Sequence, residues 1–137
     1  MHWDAILPAL SETLLADEEL VAALGGPYVY PAQSSRPIRV PSVEVLMTGD
    51  QDGETFNVIS VQFDYWARGM SRAAAIEQRL RALHWDVHRL LDGIPCWCRY
   101  LDSTSLAYPA DPGVLHRALQ FQLEVILGKY ATYTEES

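Results

Sequence analysis

Two histidines and two cysteines in the second half of the chain have a spacing that could support metal chemistry. His84 and His88 are four positions apart, which on a helix brings both rings to one face. Cys96 and Cys98 follow on one face of a predicted strand. Two imidazoles and two thiolates form a common tetrahedral zinc set. The alternative is that the histidines are exposed or interfacial and that the cysteines serve as small hydrophobic side chains.

Other catalytic patterns are absent from the sequence. A Cys–His hydrolase usually has oxyanion donors at a helix N-terminus before its cysteine, whereas Cys96 and Cys98 flank Trp97 in a predicted strand. The chain has no Gly-x-Ser-x-Gly elbow. Its Gly25-Gly26 pair closes a predicted helix, where a phosphate-binding loop would open one. We therefore predict a protein that is not an enzyme and holds no cofactor.

Acidic residues gather in one polar segment, at Asp50, Asp52 and Glu54. A calcium loop that began at Asp50 would need a glutamate at its twelfth position, where this chain has Val61. The segment therefore predicts the solvated tip of an antiparallel hairpin. Its acids are candidates for a subunit interface or for the lining of a channel.

The composition limits the partners of the chain. Its 137 residues include 18 acidic and 10 basic side chains, for a formal charge of −8, and Lys129 is the single lysine. Such a surface does not favour binding to nucleic acid, which requires clustered cations. No apolar run approaches the roughly 18 residues of a membrane helix. A disulfide between Cys96 and Cys98 would be strained, which favours a reducing compartment.

Hydrophobic periodicity predicts an α+β fold: a mainly antiparallel sheet of four to five strands, packed on one face by a long helix and an N-terminal helix. Helices are predicted over residues 3–16, 18–24 and 71–91, and strands over 41–48, 58–67, 94–101 and 115–127. Residues 1–128 form one predicted domain and 129–137 a flexible tail. Arg117 is the exception on the apolar face of the last strand.

Two tryptophans and one arginine complete the candidate contact residues. Trp66 is predicted on the sheet face opposite the inward Phe63 and Tyr65. Trp66 and Trp97 could anchor a subunit interface, because aromatic residues are enriched at interface cores. Packing within the core or at an edge is the alternative. Arg68 lies in the tight turn that follows this strand.

The order of several short segments carries a family resemblance. They are ADEELVAALGG at 16–26, VYP at 29–31, PSV at 41–43, VQFDYWA at 61–67, a helix with Ala73, Ala74 and Leu80, and YPADPGVLHRALQF at 108–121. Together, over about residues 5–127, they resemble the tail-completion proteins (tail terminators, or minor tail proteins of the head–tail junction) of long-tailed bacteriophages, prophages and gene-transfer particles. The segments around His88 and around Cys96-Trp97-Cys98 depart from the family pattern.

The resemblance implies a structural virion protein that is assembled in the host cytoplasm. It implies a homo-oligomeric ring, usually hexameric, that caps the head-proximal end of the tail tube, stops its polymerisation and docks to the head–tail connector. Genome DNA would pass the channel without specific binding, and no membrane is involved. No catalytic residue carries over. The alternatives are another connector component, an adaptor or stopper, and a small zinc-binding domain that uses His84, His88, Cys96 and Cys98.

Overall fold

The computed structural model describes residues 3–31, 39–53, 55–84 and 86–126. The fold class is α+β, as predicted, with a six-stranded mixed sheet in place of four to five mainly antiparallel strands. In chain order the elements are α1 (Trp3–Leu15), α2 (Glu18–Leu24), β1 (Val29–Pro31), β2 (Ser42–Gln51), β3 (Phe56–Arg68), α3 (Met70–His84), β4 (Val87–Leu91), β5 (Ile94–Leu106) and β6 (Val114–Ile126).

The strands are ordered β1-β2-β3-β6-β5-β4 across the sheet. Every neighbouring pair is antiparallel except β1 with β2, which is parallel. The central pair is β3 with β6, in register from Phe56 opposite Ile126 to Arg68 opposite Val114. Because β1 is short, lies at the edge and ends at Pro31, its proline removes no hydrogen bond from the interior of the sheet.

Alternation along the strands defines two faces. Ile59, Val61, Phe63 and Tyr65 are each 1% exposed or less. They join side chains of all three helices in one core cluster, so this is the inner face of the sheet. The opposite, outer face carries Gln62 and other polar side chains. This division matches the predicted inward placement of Phe63 and Tyr65.

The sheet is curled, and α1 bridges its opening. Helix α1 contacts β1 and β2 at one edge of the sheet and β4 at the other. Its inward side chains Ile6, Leu10 and Leu14 are at most 1% exposed, and they recur every four residues, along one helix face. Both edges of the sheet therefore close onto the same helix. No helix within the described ranges is long and apolar enough to cross a membrane.

A single carboxylate organises the α2–α3 contact. Asp17 caps α2 by accepting a hydrogen bond from the Leu20 amide at 2.9 Å. It also accepts from Arg79 Nε at 2.9 Å and from Arg79 Nη2 at 2.8 Å. These arginine hydrogen bonds hold the pKa of Asp17 below its ordinary value, against the opposing effect of burial. The predicted bounds of α2, residues 18–24, are those found.

The predicted helix over residues 71–91 is wrong beyond its middle. Helix α3 ends at His84, Asp86 has φ 52°, and residues 87–91 form the edge strand β4. The Asp92-Gly93 pair, with φ of 51° and 76°, is a two-residue turn of the kind that joins antiparallel strands, here β4 and β5. Val87 and Leu90 continued the helical spacing only by chance, because residues three apart lie on opposite faces of a strand, and Leu90 is 45% exposed in β4.

Candidate functional site

The four residues of the alternative zinc set do not converge. His84 is the last residue of α3 and fully buried, while His88 lies exposed in β4. His88 pairs with Trp97 across β4 and β5, whereas Val87 pairs with Cys98, so His88 and the cysteines point to opposite faces of the sheet. Within the ranges that the structure describes, no three His, Cys, Asp or Glu side chains lie close enough to hold a metal ion.

His84 is a core residue. Its ring lies 4.8 Å from the ring of Phe63 and 5.4 Å from that of Phe121, centroid to centroid. Its Nδ1 lies 3.1 Å from the Leu80 carbonyl oxygen; since a carbonyl only accepts, Nδ1 carries the proton. Nε2 is buried without a hydrogen-bond partner. Burial lowers the pKa of His84 to about 4, so the ring is neutral at pH 7.

The two cysteines are inert packing residues. Cys96 is 1% and Cys98 0% exposed, and burial raises their thiol pKa values to about 12 and about 11. The thiolate is the reactive form, and it is scarce at neutral pH in both. The alternative reading of these residues as small hydrophobic side chains fits their surroundings.

We therefore expect the native protein to give no rapid reaction with a chromogenic disulfide reagent at neutral pH, and both thiols to react once guanidinium unfolds the chain. An Asp52→Cys variant, whose thiol is exposed, serves as the positive control. Two fast equivalents in the native wild-type protein would contradict the assignment.

On the outer face a polar network surrounds Trp66. Gln120 donates to Gln62, Gln62 donates to Asp64 at 2.5 Å, and His116 Nε2 lies 3.2 Å from Asp64 Oδ2. The rings of His116 and Trp66 stack at 4.4 Å. Trp66 is only 5% exposed. It is therefore packed within its own chain and offers little ring surface to a neighbouring subunit.

Trp97 lies nearer the β4 edge of the same face and is partly exposed. Its Nε1 donates to Asp86 at 2.8 Å, and its ring stacks on His88 at 5.2 Å. The Arg99 guanidinium lies 5.0 Å from the ring centroid and pairs with Glu124 at 3.2 Å. Unlike Trp66, Trp97 therefore retains surface that a partner could contact.

The predicted acidic tip spans the end of β2 and the start of its connection to β3, since Asp50 lies in β2 opposite Ile59 and Asp52 follows the strand. Asp50 and Asp52 are exposed there, and Glu54 is outside the described residues. The Gly53 amide donates to Asn57 Oδ1 at 3.0 Å, and a Cβ at Gly53 would lie 2.4 Å from the Phe56 carbonyl oxygen. The base of the tip is therefore fixed by a buried asparagine and a required glycine, while its carboxylates reach solvent.

Arg68 lies at the opposite end of β3. It forms an exposed ion pair with Asp111 in the β5–β6 connection. Asp111 Oδ1 also accepts from the Gly113 amide at 2.9 Å. The pair thus anchors that connection to β3. Its contribution to stability is small, because the ion pair is exposed to solvent.

The most developed polar cluster was not predicted, and Arg117 is its centre. Arg117 Nε donates to Glu77 on α3 at 2.6 Å, and its terminal nitrogens donate to Ser103 at 2.7 Å and Ser105 at 2.6 Å. Tyr65 Oη donates to the same carboxylate at 2.8 Å. The signal in the sequence was the arginine among the apolar residues of β6. Nothing in the sequence indicated that its partner would be Glu77, 40 positions away.

The same cluster forms part of the wall of a groove between α3 and the ends of β5 and β6. The groove has a volume of about 460 Å³. Arg81 lies in it, with Nη2 2.8 Å from Glu77 and its Nε buried without a partner. Arg117 and Glu77 hold each other in their charged states: the pKa of Arg117 is raised by its bond to Glu77, and that of Glu77 is lowered by Arg117 and Tyr65 against burial. The remaining lining is mostly apolar, including Met70, Ala73 and Leu115.

Comparison with known proteins gives a fold match. No protein-family model matches the chain, and no curated protein matches it. Among solved structures, a chain of the "Virion of native gene transfer agent (GTA) particle" superposes with a TM-score of 0.71 at 18% identity. The superposition covers 90% of this chain and 96% of that chain. At this identity the likeness establishes a shared fold.

The extent of the match is informative about the shared fold. Because the superposition covers 96% of that chain, the shared fold accounts for nearly its whole length. The shared elements run nearly end to end in both chains.

Proposed function

We propose that this chain is a structural virion protein, a tail terminator that forms a ring at the head-proximal end of a tail tube. The observation that carries the proposal is the near-complete fold likeness to a chain of a gene transfer agent virion. The order of the sequence segments between residues 16 and 121 supports it independently. In this role the ring stops polymerisation of the tube and presents a docking surface to the head–tail connector.

The shape of the chain supports ring formation. A closed ring of identical subunits needs two different surfaces on each copy, one facing each neighbour. The acidic tip and the groove lie at opposite ends of β3, so they are two different surfaces. The sheet edges are less suited to this role, since both contact α1.

The charge supports passage of DNA. Six copies would carry six times −8, or about −48 formal charges. Acidic surface along a channel repels the DNA phosphates. It also offers no cations to displace the counterions of the DNA, and this counterion release is what drives the binding of DNA to cationic proteins. The genome would therefore slide through the ring without being held.

The test is electron microscopy of particles produced when this gene is deleted from its parent phage or prophage. We expect overlong tails without heads beside heads filled with DNA, because nothing would end tube growth. Supplying the wild-type gene in trans should restore tails of normal length.

Other outcomes of that deletion would change the proposal. Tails of normal length that lie unattached would point to an adaptor or stopper in the connector instead. Normal, infectious particles would contradict a role at the head–tail junction altogether.

A further inference from the structure

The groove beside α3 has an excess positive charge. Its charged lining residues are Glu77, Arg81 and Arg117, two guanidinium groups for one carboxylate. Arg117 is fully engaged by Glu77, Ser103 and Ser105. Arg81 bonds to Glu77 and Ser103 through Nη2, but its side chain remains 37% exposed and can be reached from the groove. In a chain with a formal charge of −8, this groove is suited to an incoming carboxylate.

The rest of the groove is suited to apolar contact. Met70 is 76% exposed at its rim, and Ala73 and Leu115 form part of its wall. An exposed methionine beside a concave surface is typical of a binding surface, because its flexible thioether adapts to a partner. The expected occupant therefore combines carboxylates with at least one large apolar side chain.

The acidic tip has that combination. Asp50 and Asp52 are exposed, and Phe56, at the base of the tip, is a 40% exposed aromatic. The tip joins β2 to β3, which pair with each other as far as Gln51 opposite Val58, with a bulge between Met47 and Gly49. Strand β3 is also paired with β6 from Phe56 onward. The tip is therefore a preformed projection, which costs little entropy to dock.

Within one molecule the tip and the groove cannot meet. The tip precedes Phe56, and the groove begins at Tyr65, further along the same strand. At about 3.3 Å per strand residue the two are separated by roughly 30 Å. Contact between them therefore requires two copies of the chain. The contact is heterologous, because the tip of one copy meets the groove of the other and the first copy's own groove stays open for a further copy.

We propose that the acidic tip of one copy docks into the α3 groove of the next. Its carboxylates pair with Arg81 at the open end of the Glu77–Arg117 cluster, and Phe56 packs against the rim at Met70. The inference rests on the proposed ring and names the contact that closes it. It assigns the tip to a subunit interface and not to the channel lining.

A charge-swap experiment on the full chain tests the contact. The tip variant is Asp50→Lys/Asp52→Lys, and the groove variant is Ala74→Glu/Gln78→Glu, at two exposed positions of α3 that line the groove. Self-association is measured by sedimentation velocity over a concentration series. Like charges facing each other weaken docking, so each variant should associate at least about tenfold more weakly than wild type.

The combined variant restores opposite charges and should return to within about threefold of wild type. The control is Glu12→Lys/Glu18→Lys, which changes the net charge as the tip variant does but on exposed positions of α1 and α2. It should associate like wild type. Far-ultraviolet circular dichroism verifies that every variant is folded.

Several results would overturn the contact. One is a wild-type chain that stays monomeric at its highest soluble concentration. A second is a tip or groove variant that self-associates as strongly as wild type. A third is a combined variant whose self-association stays as weak as that of the single variants. Loss of association on truncation after residue 128 would assign the groove to the acidic C-terminal segment instead. If gene deletion gives overlong tails while the charge variants assemble normally, the terminator role stands and this contact fails.

Discussion

Replacing Glu77 by alanine is expected to lower the free energy of unfolding by about 2–3 kcal/mol. The carboxylate accepts hydrogen bonds from Tyr65 at 2.8 Å and from Arg117 at 2.6 Å. Without it, the Arg117 guanidinium keeps its charge in a site where only 27% of its side chain is exposed. The residual exposure keeps the expected loss below that of a fully buried pair.

Urea denaturation at pH 7 measures the loss, and Glu19→Ala is the matched control. Glu19 is also an acid paired with an arginine, at 3.3 Å from Arg79, but its side chain is 74% exposed, so its removal should cost less than about 0.5 kcal/mol. Equal losses for the two variants would contradict a structural role for the cluster. Adding Arg117→Ala to the Glu77→Ala variant should cost far less than Arg117→Ala does alone, because the two side chains act together.

Acidification is expected to destabilise the wild-type protein through His84. The pKa of this ring is about 4 in the folded chain, against an ordinary value of 6.5. Between those values the unfolded state binds more protons than the folded state, so stability falls as the pH falls from about 6.5 towards 4. A pKa difference of this size corresponds to a loss of roughly 3 kcal/mol in the free energy of unfolding across this pH range.

The comparison that isolates this effect is between wild type and His84→Leu. Carboxylates whose pKa values are lowered, such as Asp17 and Glu77, titrate alike in both proteins, so their contributions cancel in the difference. The stability of wild type relative to the variant should fall by about 3 kcal/mol between pH 7 and pH 4. A pH-independent difference between wild type and His84→Leu would show that the ring is not held neutral.

Local patterns in the sequence were sufficient for much of the fold. The alternation from Ile59 to Tyr65 and the cap at Asp17 gave the faces of β3 and the bounds of α2, because these features depend on neighbouring residues alone. The boundary of α3 was missed because Val87 and Leu90 continued the helical spacing, although in β4 they lie on opposite faces of the strand. There the Asp92-Gly93 turn was the better signal, since both its residues adopt positive φ.

The contacts between distant segments were not predictable in the same way. Glu77 looked like one more polar residue on an exposed helix face, and its role follows from the register that brings Arg117 beneath α3. The apolar face of β6 did flag Arg117, since an arginine on an inward face needs a partner. The placement of His88 and of Trp66 depended on strand pairing, which the sequence alone left open.

The position of β6 in the sheet has a consequence for how the chain folds. Strand β6 lies between β3 and β5, although it follows the five other described strands in the chain. The β2–β3 and β4–β5 pairs are local and can form early, but each then exposes an unpaired edge until β6 inserts between them. Such non-local pairing is slow, and exposed edges promote aggregation while it is incomplete. Recovery of soluble protein should therefore depend on the speed of this last insertion, and chains interrupted before residue 114 should aggregate.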